Sequence, residues 1–256
     1  MTETLGLMLA GLLAGIVDSI AGGGGLITLP ALGIFLETGP HAIGTNKIAG
    51  STASLVALWI YARVRRPDWR SGLAFAGITA VGSVVGSRVA PLLPPSAFKI
   101  LLTVSGPLVL TLVWKRDLWT RAIEKNQLPR ESTPAETRRR ILRLGIAGLL
   151  CGFYDGAWGP GGGTLMLLTC IFIARLPLFT ALAASKLANF ASAFFSLISY
   201  AQQGYVHLPA GLAVGAGIAV GAWIGARRAS RDAARVIRPV LTFVVVLLMA
   251  RVLLLS

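Results

Sequence analysis

Apolar residues fall into ten runs separated by short polar or glycine-rich breaks, and the runs form two series of five. In the first half they cover residues 4–21, 26–36, 42–62, 72–93 and 98–114. In the second they cover residues 141–157, 164–174, 178–202, 208–226 and 236–256. The last three runs of each series are long enough, as helices rising about 1.5 Å per residue, to cross a hydrocarbon core of about 30 Å. The first two runs of each series are mostly too short. They are joined through glycine, at residues 22–25 (Gly-Gly-Gly-Gly) and 159–163 (Gly-Pro-Gly-Gly-Gly), which predicts two glycine-broken, re-entrant helical hairpins. Non-helical backbone at that depth must be covered by protein or line a watery cavity, because an unpaired amide facing lipid is costly.

The two series repeat one another in sequence. Gly11-Leu-Leu-Ala-Gly15-Ile-Val-Asp18 matches Gly148-Leu-Leu-Cys-Gly152-Phe-Tyr-Asp155, and each aspartate leads into a glycine cluster. Lys47 then matches Lys186. Residues 72–90 match 211–229, sharing Gly72, Leu73, Ala74, Ala80, Val81, Gly82, Gly86, Arg88 and Ala90 with their partners. The reading is therefore an all-α polytopic membrane protein of two homologous repeats, each a broken hairpin plus three transmembrane helices. The first repeat spans residues 1–114, a basic linker 115–140 and the second repeat 141–256. The N-terminus, Met1-Thr-Glu-Thr, lacks the basic region of a cleaved signal peptide and reads as part of the mature chain.

Composition agrees with this class. Hydrophobic residues make up 55% of the chain and charged residues 13%, about half the usual charged share of a soluble domain. A net charge of +14 is also found in nucleic-acid binders, but here the basic residues are clustered between apolar runs. Residues 63–70, 115–140 and 227–238 hold four, eight and five of the 24 Lys and Arg. That is the positive-inside pattern, and no recognition helix or aromatic-interleaved basic strip accompanies it. All three clusters fall on the cytoplasmic side if each half crosses the membrane three times, an odd number that inverts the second repeat relative to the first. Both termini then lie outside. Cys151 and Cys170 sit in apolar runs without the spacing of a metal or redox pair.

Inverted repeats with interrupted helices bind substrate near the membrane midplane, and the chemistry at the breaks suits an anion. Gly23, Gly24 and Gly25 precede one short helix and Gly161, Gly162 and Gly163 the other. Such clusters leave amide groups at a positive helix end, although close helix packing is the alternative. Gly82, Gly86, Gly221 and Gly225, spaced as GxxxG, read as packing. Lys47 and Lys186 lie inside long apolar runs, beside Thr45 and Asn46 and beside Ser185 and Asn189. An ammonium at that depth is functional or else snorkels to the surface. Asp18 and Asp155 neutralise the lysines, accept a proton or cation in coupling, or cap the short helices. His41 and His207 open apolar runs and read as interfacial. The absence of a carboxylate or His cluster, of GxSxG and of a P-loop speaks against an enzyme or a primary pump. No cofactor or metal is expected.

These residues resemble a known family. The stretch from Asp18 through Gly25 to Pro30, with Pro40-His41 and Gly44-Thr45-Asn46-Lys47, is similar to the first-repeat motif of the sulfite exporter TauE/SafE family. Tyr154-Asp155-Gly156 with residues 159–163, Ser185-Lys186-Leu187-Ala188-Asn189 and Gly204 is similar to its second-repeat motif. The resemblance implies an inner-membrane permease for small sulfur-containing anions such as sulfite or organosulfonates. The expected function is secondary transport of a small anion through a midplane site between the repeats. A passive anion channel and a carrier for a non-sulfur substrate are the alternatives. The expected partners are the anion and the lipid bilayer, not nucleic acid, and a homo-oligomer is admitted.

Overall fold

The computed structural model describes residues 2–36, 39–64, 69–94 and 134–231, with residues 236, 239, 240 and 242. The expected helix over 98–114, most of the run 236–256 and linker residues 115–133 lie outside the described residues. Within them the chain is helical and has no strand. In order the helices are α1 (Thr2–Ala21), α2 (Gly25–Phe35), α3 (Pro40–Val64), α4 (Trp69–Val89), α5 (Pro134–Ala157), α6 (Gly162–Leu168), α7 (Leu178–Gln202) and α8 (Leu208–Arg231). A 3₁₀ turn, Ala90–Leu92, follows α4, and a π-helical turn, Thr169–Ile173, extends α6.

Both glycine breaks interrupt a helix as expected, and the short helices beyond them run only Gly25–Phe35 and Gly162–Ile173. Helix α5 differs from the sequence reading. It opens at Pro134, seven residues before the apolar run at 141. Proline suits the first helical position, where the amide has no intrahelical acceptor to lose. Arg138 and Arg139 are exposed on this added stretch, so hydrophobic periodicity could not find it.

Contacts give the helix directions. Met8 meets Gly217, Leu12 meets Gly221 and Ile16 meets Gly225, so α1 and α8 run parallel. Gly211 faces Thr45 and Ile48, and Gly215 faces Ile48 and Thr52, which sets α3 parallel to α8. On the other side Thr79 meets Gly152 and Ser83 meets Gly156, while the Thr79 and Ser83 hydroxyls donate to the carbonyls of Ala188 and Ser192. Helices α4, α5 and α7 are thus parallel to one another. Gly44 faces Tyr200, Gly50 faces Ala193 and Ser54 bonds Asn189, so α3 and α7 cross antiparallel at the centre.

Helix pairs α1·α8 and α4·α5 approach through glycine. A Cβ on Gly82 or Gly86 would overlap the carbonyl oxygens of Leu149 and Phe153, and one on Gly221 or Gly225 those of Leu12 and Ile16. Small residues bring helix backbones together where lipid offers no hydrophobic drive for association.

A cluster of polar residues is buried within a largely apolar interior, and the outside is apolar too. Asp18, Thr45, Asn46, Lys47, Ser54, Thr79, Ser83, Asp155, Ser185, Lys186, Asn189 and Ser192 are buried, whereas Leu5, Leu9, Leu13, Leu73, Val81, Ile146, Leu150 and Leu212 are exposed. That distribution fits a lipid solvent. Among the described residues four helices are long and apolar enough to cross a membrane: Glu3–Ala21, Trp69–Leu92, Leu178–Gln202 and Leu208–Arg231. Helix α3 has the length, at 25 residues, but its polar residues Asn46, Lys47, Ser51 and Ser54 are buried against neighbouring helices.

Candidate functional site

The two glycine breaks meet each other in the interior. The Thr164 hydroxyl donates to the Gly22 carbonyl across them, and Gly25 packs on Pro160. Gly22 (φ 71°) and Gly161 (φ 79°) take the left-handed conformation that side chains disfavour, which lets each chain reverse within a few residues. Asp18 ends the last turns of α1 and reaches forward over the first break. Its Oδ1 accepts the amides of Gly23 and Gly24, each at 3.0 Å. The expectation of free amides here is therefore corrected: the chain's own carboxylate already occupies them, as an N-cap does. Gly24 and Gly162 are glycine because a Cβ at either would strike the side chain of Asp18 or Asp155.

Neither lysine snorkels. Lys47 and Lys186 are each 2% exposed, and each turns onto the other half of the chain. The Lys47 ammonium donates to the Asp155 carbonyl and lies 3.2 Å from Asp155 Oδ2. Lys186 donates to the Asp18 carbonyl and stands 3.7 Å from Asp18 Oδ2. Both carbonyls lie in the final turns of helices, where the backbone dipole favours a cation. The pairs differ in one respect. Asp155 Oδ2 also accepts the Ser192 hydroxyl at 2.7 Å, whereas Asp18 Oδ2 is buried and accepts no hydrogen bond from the described residues.

Between the breaks lies a small cavity of about 30 Å³ that opens to the surroundings. Of the residues expected from sequence, Asp18, Gly23, Gly24, Gly25, Asn46, Lys47, Asp155, Gly161, Gly163 and Asn189 line it. Thr45, Gly162, Ser185 and Lys186 are outside that lining. Thr45 Oγ1 accepts the His207 amide at 2.9 Å, and the Ser185 hydroxyl returns to the Leu182 carbonyl at 2.9 Å. Both serve helix packing. His207 Nδ1 in turn accepts the Ala210 amide and caps α8, while His41 packs edge-on against Tyr205.

The matched motifs extend across the chain. A family model described as sulfite exporter TauE/SafE matches residues 7–252. The chain belongs to the sulfite exporter TauE/SafE family. A Sinorhizobium relative, "Probable membrane transporter protein ORF9", is 33% identical over 247 residues, 96% of this chain and 91% of its own length. A Haemophilus influenzae "Probable membrane transporter protein" is 29% identical over 252 residues, covering 96% and 92%. A Bacillus subtilis relative, "Probable membrane transporter protein YunE", is 28% identical over 259 residues, covering 94% of each. No solved structure matches. As a member of the TauE/SafE family the chain is a multi-pass membrane transporter and not an enzyme.

Sequence reasoning missed several lining residues of this TauE/SafE cavity: Thr28, Ala49, Gly50, Gly159 and Ala193. Helical spacing held a signal for two of them. Gly50 follows Asn46, and Ala193 follows Asn189, by four residues, one turn along the same face. Thr28 gave none; its hydroxyl bonds Asn46 Oδ1 from a different helix.

Proposed function

We propose that this chain is a secondary transporter carrying a small oxyanion, sulfite or an organosulfonate, across the cytoplasmic membrane through the cavity between its glycine breaks. The observation that carries the reading is the reciprocal exchange of Lys47 to Asp155 and Lys186 to Asp18 across that cavity. Two buried ammoniums would otherwise demand compensation from outside the chain. Here they are held ready, and a bound oxyanion meets Lys47, the Asn46 and Asn189 side-chain amides and the backbone of Gly161 and Gly163. Asn46 spends its oxygen on Thr28, which leaves its nitrogen beside Gly25 and Gly159.

The architecture behind this reading is two inverted repeats, each contributing a re-entrant hairpin from its own face of the membrane. Support comes from helix direction. Matched helices α1 and α5, α3 and α7, and α4 and α8 run opposite to one another, and matched residues make matched contacts, Gly82 on Leu149 and Gly221 on Leu12. Because α1 and α3 are parallel, α2 returns toward the side from which α1 entered. A site between halves of opposite sense is what alternating access requires. The basic ends of α3 and α8, with Arg63 stacked on Trp59 at 3.8 Å and Arg227 on Trp223 at 3.9 Å, then share the cytoplasmic interface.

The test is transport by the purified chain in liposomes. Saturable sulfite uptake with counterflow of labelled sulfite is expected. Linear flux without counterflow would make it a channel, and no flux of sulfite, thiosulfate or methanesulfonate would overturn the substrate class.

A further inference from the structure

The two oxygens of Asp18 are unequally used. Oδ1 accepts two backbone amides, whereas Oδ2, in a residue only 6% exposed that lines the cavity, faces the Lys186 ammonium at 3.7 Å and accepts no hydrogen bond from the described residues. Buried acceptors are seldom left so, and an unsatisfied one marks a place where something else binds. We infer that Oδ2 of Asp18 is a proton-binding site, and that a proton taken there accompanies each anion entering the cavity. This rests on the oxyanion reading above.

The charges around the cavity dictate the coupling. Facing Asp18 are Lys186 from α7, Tyr61 from α3, whose hydroxyl donates to the Ser19 carbonyl at 2.8 Å, and Lys47 and Asp155 at the second pair. Two ammoniums and two carboxylates cancel. A monoanion entering alone would leave the cavity one charge negative in a medium that screens poorly. A proton on Oδ2 restores neutrality. It also converts that oxygen from an acceptor, which repels an oxyanion, into an O–H donor, which binds one. Until the anion arrives, Lys186 is left uncompensated, so each ligand favours the other.

Asp155 is not equivalent, because its Oδ2 already accepts both Ser192 and Lys47. A metal ion is a poorer occupant than a proton, since the Lys186 ammonium stands 3.7 Å from the same oxygen. The step is a simple protonation. A hydronium or buffer acid gives its proton to an Oδ2 lone pair, the new O–H bond forms, and the donor keeps the electrons of the bond that breaks.

The experiment uses the full chain in detergent with methanesulfonate, which stays ionised near neutral pH, so that any proton taken up goes to the protein. Calorimetry in two buffers of different ionisation enthalpy counts protons. The expected result is about one proton per anion bound, with affinity falling as pH rises, by up to about tenfold per pH unit, as reciprocal linkage demands. Asp18→Asn should bind with no proton uptake and an affinity flat in pH. Binding by the parent chain without proton uptake overturns the inference and leaves the oxyanion reading standing, as does uptake unchanged in Asp18→Asn. If the variant does not fold, the parent's proton count and pH dependence decide alone. If methanesulfonate, sulfite and thiosulfate all fail to bind, the oxyanion reading falls and this inference with it.

Discussion

The ammonium of Lys47 sits 3.2 Å from Oδ2 of Asp155, a residue 108 positions further along the chain. Lys186 reaches back 168 positions to Asp18 in the reverse sense. Each half thus neutralises the other's buried charge. That arrangement ties the halves together and keeps the interior electroneutral, so two lysines can stay deep within helices that face lipid on their other side.

Removing one member of a buried pair leaves its partner uncompensated. Lys47→Met is expected to destabilise the chain by about 3–5 kcal/mol, and pairing it with Asp155→Asn should recover most of that loss. Lys186→Met should cost less, because its carboxylate partner is further away at 3.7 Å. Thermal unfolding in detergent measures both. Equal stability of the parent and Lys47→Met would show that the pair does not hold the halves together.

The glycine crossings predict a matched pair of defects. Gly86→Ala must push back the Phe153 carbonyl, and Gly225→Ala the Ile16 carbonyl and the Ser19 hydroxyl, and overpacking of this kind costs about 1–3 kcal/mol. Both variants should lose stability within that range, since each meets a carbonyl of the facing helix. A loss confined to one of them would break the equivalence of the α1·α8 and α4·α5 crossings.

Anion affinity should separate residues that line the cavity from those that only neighbour it in sequence. Asn46→Leu removes a cavity amide and the bond to Thr28, and should weaken sulfite binding about tenfold, the upper end for a neutral hydrogen bond. Thr45→Val loses only the acceptor for the His207 amide, so affinity should change little while stability falls by about 1 kcal/mol. The readout is sulfite affinity, with folding checked separately.

Topology can be read by labelling. In a background lacking Cys151 and Cys170, single cysteines at Ser132 and Ser230 should both resist an impermeant thiol reagent applied to intact cells, while one at Gln203 should react. Labelling of Ser230 without Ser132 would contradict the inverted arrangement.

Much of the fold was legible in one dimension. The glycine clusters at 22–25 and 159–163 marked the helix breaks because no apolar helix continues through four such residues. The recurrence of Gly11 through Asp18 at residues 148–155 is the basis of the proposed division into two halves. The start of α5 was not legible, because Arg138 and Arg139 project where no apolar face is needed.

By itself the sequence determined the class of the protein, most of its described helices and the presence of two lysines and two aspartates inside apolar runs, since apolar run length, glycine breaks and an ammonium in an apolar run are local properties. It left open what Asp18 and Asp155 do. Only the tertiary structure decided that Asp18 closes the amides of Gly23 and Gly24, that Lys47 answers Asp155, and that Thr45 and Ser185 turn away from the cavity. The Asp18 and Ser185 bonds span only three to six positions and depend on where the local helix turns, whereas the Lys47 pairing depends on α3 crossing α7 antiparallel with the two breaks face to face. The crossing joins residues more than a hundred positions apart, and no periodicity along a single helix records which face of it meets which neighbour.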